Sequence, residues 1–323
     1  MENAKQERKK RVRRRRFLED EVHHIYQRTV KRFNIFYDLE DYLVYYTIFS
    51  ISSRQYDMIV LGLCLMFDHI HMLIKPEAKI TMSEFVRQVT SMFAREQNNE
   101  AGRKGSLFQA RFGSAPKRGM KLLRTAISYL FNNPVEKRIC DRAEEYRWSF
   151  LAYAISANPF SDPLIIRHAS RTLKSAIREV DFAESQDRHL RYCQLKRMLR
   201  RLDEKERQQL VDHIISKYNP FDYDEIIKCY GSYEEMLIAI NSNTGSEYDI
   251  KEDRYRFSDI EYIRMGKILH DMGGLEDLRK VTGLEIDEKM RLFEMLRKHL
   301  TCGNLPIAKF LHIDVANPLI TKY

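Results

Sequence analysis

The run LGLCLMFDHIHMLIK, residues 61–75, constrains this chain more than any other stretch. It is too short and too often interrupted by polar residues to span a bilayer, which takes about 20 apolar residues. Phe67-Asp68 divides it, so it reads as two buried strands, 57–67 and 69–75, joined by a tight turn. Successive strand side chains point to opposite faces, so His69 and His71 share one face while Ile70 takes the other.

The flanking sequence supplies the partners such a hairpin needs. EVHHIYQRTVKR (21–32) is rich in β-branched and aromatic residues and suits a first strand. Asp38 is placed to cap a helix over LEDYLVYYTIFSISSRQ, and 83–98 is amphipathic at helical spacing. RKGSLFQARFGSAPKRG has room for one edge strand. A helix from near Gly119 carries Tyr129 and runs to Pro134, where the proline ends it or begins a new turn. The order β-α-β-β-α-β-α predicts an α+β chain built on a ferredoxin-like sandwich, a fold that implies no activity by itself.

After Trp148 the composition changes. ISANPFSDP (155–163) reads as a linker, and 164–323 shows apolar spacing of three and four almost throughout, predicting an all-α domain that divides again near 241–256. Four regions follow: a basic tail (1–19), an α+β domain (20–154), the linker and the helical domain. MRLFEMLRKHLTCGNLPIAKFLHID resembles the opening of a helix-turn-helix, with 307–311 as its short positioning helix. Pro318 falls where a recognition helix would run, which favours a packing module instead.

The formal charge of +9 is concentrated: residues 1–16 hold nine Lys and Arg against two Glu. Such a run cannot bury a core and is suited to contacting nucleic-acid phosphates, with a solubilising arm as the plain alternative. The five scattered cysteines form no CxxC pair and read as reduced thiols. With neither a membrane-length segment nor an apolar leader, the expected location is the cytoplasm.

Two imidazoles on one strand face are a ready pair of metal ligands, although with ten histidines a chance His-x-His arises in roughly one chain in three. Tyr129 offers a nucleophilic oxygen. Asn133, four residues on and so on the same helix face, offers a third ligand, with Asn132 or a water as alternatives. A Mg²⁺ or Mn²⁺ ion in such a set would polarise a phosphate, and imidazoles favour manganese. Arg28, Lys31, Arg32, Arg111, Lys117, Arg118, Lys121 and Arg124 interleave with Phe108 and Phe112, a pattern for DNA backbone contact and base stacking. A solvated basic face, with both phenylalanines in the core, is the plain alternative. His23 and His24 lie in the first strand, and neither is assigned as a ligand.

HHIYQRT, HIHMLI, GSLFQARF, YLFNNPVEKR and EEYRWSFLAY occur in the order and approximate spacing of the HUH single-tyrosine transposases. The chain most resembles their bacterial REP-associated branch. The resemblance spans about residues 20–153. It implies a ferredoxin-like catalytic domain, active as a monomer or homodimer, that binds hairpin-flanked single-stranded DNA and cleaves it through a covalent 5′-phosphotyrosine. Tyr129 would then be the nucleophile, and His69, His71 and a third polar residue the metal ligands. Asp68 departs from the family, which usually has Asn before the first histidine, and the long helical half exceeds the family's compact form. Two alternatives stay open: a domesticated nucleic-acid binder whose catalysis has lapsed, and a metal hydrolase whose histidines activate water.

Overall fold

The computed structural model describes residues 21–77, 82–109, 111–242, 258–314 and 316–317. The basic tail, nearly all of the polar stretch at 241–256 and Pro318 lie outside the described residues. The first part of the chain runs β1 (His23–Arg28), α1 (Leu39–Gln55), β2 (Met58–Met66), β3 (His69–Pro76), α2 (Met82–Ala101), β4 (Gly113–Pro116) and α3 (Met120–Glu136). The four strands form one sheet in the order β2-β3-β1-β4, every pairing antiparallel. This is the split βαβ arrangement expected from the order of elements.

Local chemistry fixes the element ends. The Asp41 carboxylate accepts from the backbone N–H groups of Tyr37 and Asp38, satisfying donors at the start of α1. The β2–β3 turn falls at Phe67-Asp68. Pro134 does not end α3, because the helix runs on to Glu136. Proline there removes one intrahelical bond in the final turn, while Lys137 N–H still bonds Asn133 O and Ile139 N–H bonds Pro134 O.

Helix α1 is buried on nearly all sides from Asp41 to Ser53. Its inner face meets the sheet. Its outer face meets α4 (Arg171–Ser185), α5 (Tyr192–Leu199) and α6 (Glu204–Lys217). The polar residues of α1 are satisfied across that junction: Tyr46 donates to Ile215 O, Ser50 donates to Tyr218 O, and Thr47 Oγ1 accepts from Leu190 N–H. The hydrophobic core accordingly runs without a break from Val22 to Ile240. Within 155–163, Phe160 is anchored, its ring under Arg147 and its N–H bonded to Asp212, while Ile155 is exposed.

Helices α7 (Tyr223–Lys228) and α8 (Tyr233–Asn241) carry the chain past β2 to the other side of the sheet, where α8 packs on α3. Asp222 N–H bonds Val60 O, covering the outer edge of β2. A second core joins Phe67 to α9 (Ile260–Asp271), α10 (Ile286–His299) and α11 (Asn304–Phe310). Ile307, Ala308, Phe310 and Leu311 are buried there, and among the described residues no further helix follows α11. No helix among the described residues is long and apolar enough to cross a membrane.

Candidate active site

The antiparallel register sets Tyr26 opposite His71 and Arg28 opposite His69, so alternate residues of β1 share the histidine face of β3. Across β2, Cys64 and Met66 lie opposite the same two histidines. Helix α3 packs over β2 and β3 on this side and brings Tyr129 and Asn133 onto the imidazoles.

The four side chains singled out from the sequence are therefore gathered together. The His69 and His71 rings are perpendicular at 5.0 Å between centroids, and Tyr129 stands edge-on to His71 at 5.5 Å. Asn133 Nδ2 lies 3.5 Å from His71 Nε2. The cluster is enclosed: His69 is 3% exposed, Tyr129 1%, and His71 and Asn133 are fully buried.

Each histidine is turned by a partner on its Nδ1. Asp68 Oδ1 lies 2.5 Å from His69 Nδ1, and Arg32 lies 3.7 Å from the other carboxylate oxygen. Burial alone would raise the Asp68 pKa, but His69, by charge and hydrogen bond, together with Arg32 and Lys309, holds it down at about 2. His71 Nδ1 lies 3.0 Å from His24 Nε2. With an amide N–H of Asn133 directed at His71 Nε2, the consistent tautomer has His71 donating from Nδ1 to His24 and carrying its lone pair on Nε2.

The donor set suits a divalent cation. Two imidazoles engaged through Nδ1 direct Nε2 inward, as metal-binding histidines do. Asn133 Oδ1 is buried and accepts no hydrogen bond among the described residues. Among those residues no three His, Cys, Asp or Glu side chains are grouped to hold a metal ion, so a third protein ligand beside the two imidazoles would have to be an amide. Asp68 acts through His69.

The basic candidates are divided. Arg118, Lys121 and Arg124 are exposed around the start of α3 beside exposed Met120 and Leu122, with Arg118 bonded to Glu21 at 2.6 Å and Arg124 over the Tyr230 ring at 4.7 Å. Arg111 and Lys31 are exposed, Lys31 paired with Asp314. Arg28 is half-buried over Tyr26, and Arg32 is committed to Asp68. Phe108 and Lys117 are buried, Phe108 against Phe93, and Phe112 is half-buried against the core. The sequence reading did not assign His24 a role, although its alternation with Tyr26 and Arg28 on β1 was the available signal. It also missed Asp259, which burial and the Asp68 charge push up to about 7 against the pull of Lys137, His69 and Lys309.

Residues 19–133 match the family model described as "Transposase IS200 like". Among solved structures, the chain matches one described as "Structure of the REP associates tyrosine transposase bound to a REP hairpin", with 16% identity over 50% of this chain and 97% of that one, at a TM-score of 0.39. No curated protein matches the chain.

Proposed function

We propose that this protein, whose residues 19–133 match the IS200-like transposase family model, is a metal-dependent endonuclease and strand transferase for hairpin-flanked single-stranded DNA. One observation carries the reading: Tyr129, His69, His71 and Asn133, drawn from a strand and a helix 60 residues apart in sequence, converge in one buried cluster. A structural tyrosine needs no such company.

His69 Nε2, His71 Nε2 and Asn133 Oδ1 would hold Mg²⁺ or Mn²⁺, which draws charge from a non-bridging phosphate oxygen. Asp68 and His24 fix the ring planes so that little reorganisation is left for the moment of reaction. The phenol of Tyr129 loses its proton as Oη bonds to phosphorus. The P–O3′ bond breaks and the 3′-oxygen leaves as a hydroxyl. The 5′-phosphate stays on the tyrosine at conserved bond energy, so a second 3′-hydroxyl displaces the enzyme without ATP. Because the cluster is closed, a phosphodiester reaches the phenol only if the site opens while Asn133, carried on α3 with Tyr129, stays within reach of the imidazoles. Arg118, Lys121 and Arg124, exposed around the start of α3, would meet the DNA backbone.

That enclosure favours a second reading, a nucleic-acid binder that retains the fold without its chemistry. Incubation with a labelled hairpin-bearing single strand, resolved on a denaturing gel, separates the two. The proposal expects discrete cleavage with Mn²⁺ that EDTA abolishes and that His69→Ala and His71→Ala lack. Cleavage that persists in EDTA removes the metal, and no cleavage with either ion leaves the binder.

A further inference from the structure

Outside the family segment, residues 167–201 hold ten Lys and Arg against four Asp and Glu, an excess that the remainder of the chain beyond the tail does not share. The fold sets part of this charge on the outward faces of two helices. On α4, Leu173, Ala176, Ile177 and Val180 face the core, which turns Arg171, Lys174 and Arg178 outward at spacings of three and four. On α5, Tyr192, Leu195, Met198 and Leu199 are buried, which leaves Arg197, Arg200 and Arg201 outward.

Between the two helices lies a cleft of about 290 Å³ lined by Arg171, Arg197, Arg201, the side chains of Thr172 and Ser175, and Glu179. Glu179 is its single acidic side chain and is already taken by Arg197 and Gln194. Arg171 and Arg201 make no ion pair among the described residues. Arg197 also borders a larger cleft of about 900 Å³ against the start of α1, but there Asp38, Glu40, Glu276 and Asp277 offset the cations. Cations outnumber acids three to one at the α4–α5 cleft, against five to four at the larger one. The guanidiniums of Arg171 and Arg201, with hydroxyl donors beside them, match the oxygens of a phosphodiester, which arginine binds in a bidentate fork.

From this arrangement we infer that the outer surface of α4 and α5 is a second nucleic-acid contact that grips duplex backbone, with the α4–α5 cleft seating one phosphate. The surface lies on the far side of α1 from the sheet, whereas Tyr129 and the histidines lie under α3 on the opposite sheet face. It therefore acts apart from cleavage and does not depend on Tyr129 being a nucleophile. A grip on backbone phosphates carries no sequence information of its own, so the surface tracks duplex DNA without regard to sequence. A duplex stem beside the cleaved strand is the partner it fits, and that role rests on the function proposed above.

The test uses the full chain with Arg171, Arg200 and Arg201 all changed to Ala. These side chains are exposed, so folding should survive, and circular dichroism checks it. Affinity for a blunt 20-base-pair duplex, measured from about 50 to 300 mM salt, should fall at least tenfold at the low end, and the log–log salt slope should flatten by about two to three. The corresponding triple Lys variant should keep most of the slope. A control with Lys228, Arg291 and Lys298 changed to Ala removes the same charge elsewhere and should leave affinity within twofold. An unchanged slope in the first variant, or an equal fall in the control, overturns the inference. Tyr129→Phe separates the two accounts: duplex binding is expected to be undiminished in it whether or not the wild type cleaves single strands.

Discussion

His24 and His71 meet across neighbouring strands, Nε2 to Nδ1 at 3.0 Å, with their rings tilted 51° and 5.1 Å between centroids. The contact fixes the His71 ring, and Asp68 does the same for His69. Removing such an orienting partner typically costs about 10–100-fold in metal affinity. His24→Ala should therefore weaken Mn²⁺ binding by that order, read by calorimetry or electron paramagnetic resonance. His24→Gln, which keeps an acceptor near His71 Nδ1, should recover part of it. Equal losses in the two variants would show that the ring fills space and does not orient.

His312 predicts a pH dependence of stability. Its imidazole is stacked on Phe33 at 4.6 Å and hydrogen-bonded to Asn34 O at 2.5 Å. Burial first, with Arg103 and Lys289 adding to it, lowers its pKa to about 3 despite the opposing pull of that carbonyl. The unfolded chain takes up a proton near 6.5, while the folded state does not until about 3. Unfolding free energy should thus fall by up to about 1.4 kcal/mol per pH unit between those values from this group. Denaturant titrations of wild type and His312→Gln should differ in slope across pH 4–6 and run parallel above pH 7.

Gly113 lies in the edge strand β4 opposite Tyr26, whose ring lies over it. A Cβ built at 113 would come within 1.8 Å of Tyr26 Cζ. Gly113→Ala must displace that ring and should cost about 1–3 kcal/mol, the usual range for overpacking. In a Tyr26→Ala background the same change should cost under about 0.5 kcal/mol, a coupling readable by a double-mutant cycle.

Residues 5–16 carry nine cations. Deleting them should lower affinity for unrelated DNA sequences about equally and flatten the salt dependence, with the melting temperature unchanged. Sequence-selective loss would point instead to base recognition by the tail.

The sandwich was legible in the sequence because local patterns carried it. The 61–75 run is strand-like on both sides of a turn, and the alternation that puts His69 and His71 on one face requires no tertiary information. Tyr129 and Asn133 share a face by helical spacing alone. The continuity of α1 with the later helices was hidden: its serines and threonine suggest a wet face, yet Ser50 and Thr47 bond to backbone 143 or more residues away. No local pattern encodes such partners. His24 was obscured for the same reason, since its role depends on strand register and only sheet order supplies it. Phe108 and Lys117 show the converse. Interleaved basic and aromatic residues look alike on a surface and under a loop, and burial separates them.

The central claim is that Tyr129 becomes covalently joined to the cut strand. A hairpin-bearing single strand labelled on the 3′ side of the cleavage site should, with Mn²⁺, leave label on the protein after denaturation. Peptide mapping should place it on Tyr129. Tyr129→Phe, which removes one hydroxyl and should preserve the fold and DNA affinity, should form no adduct. An unlabelled wild-type protein across single-stranded substrates and both metals, or a Tyr129→Phe variant that cleaves as fast as wild type, would contradict the tyrosine mechanism.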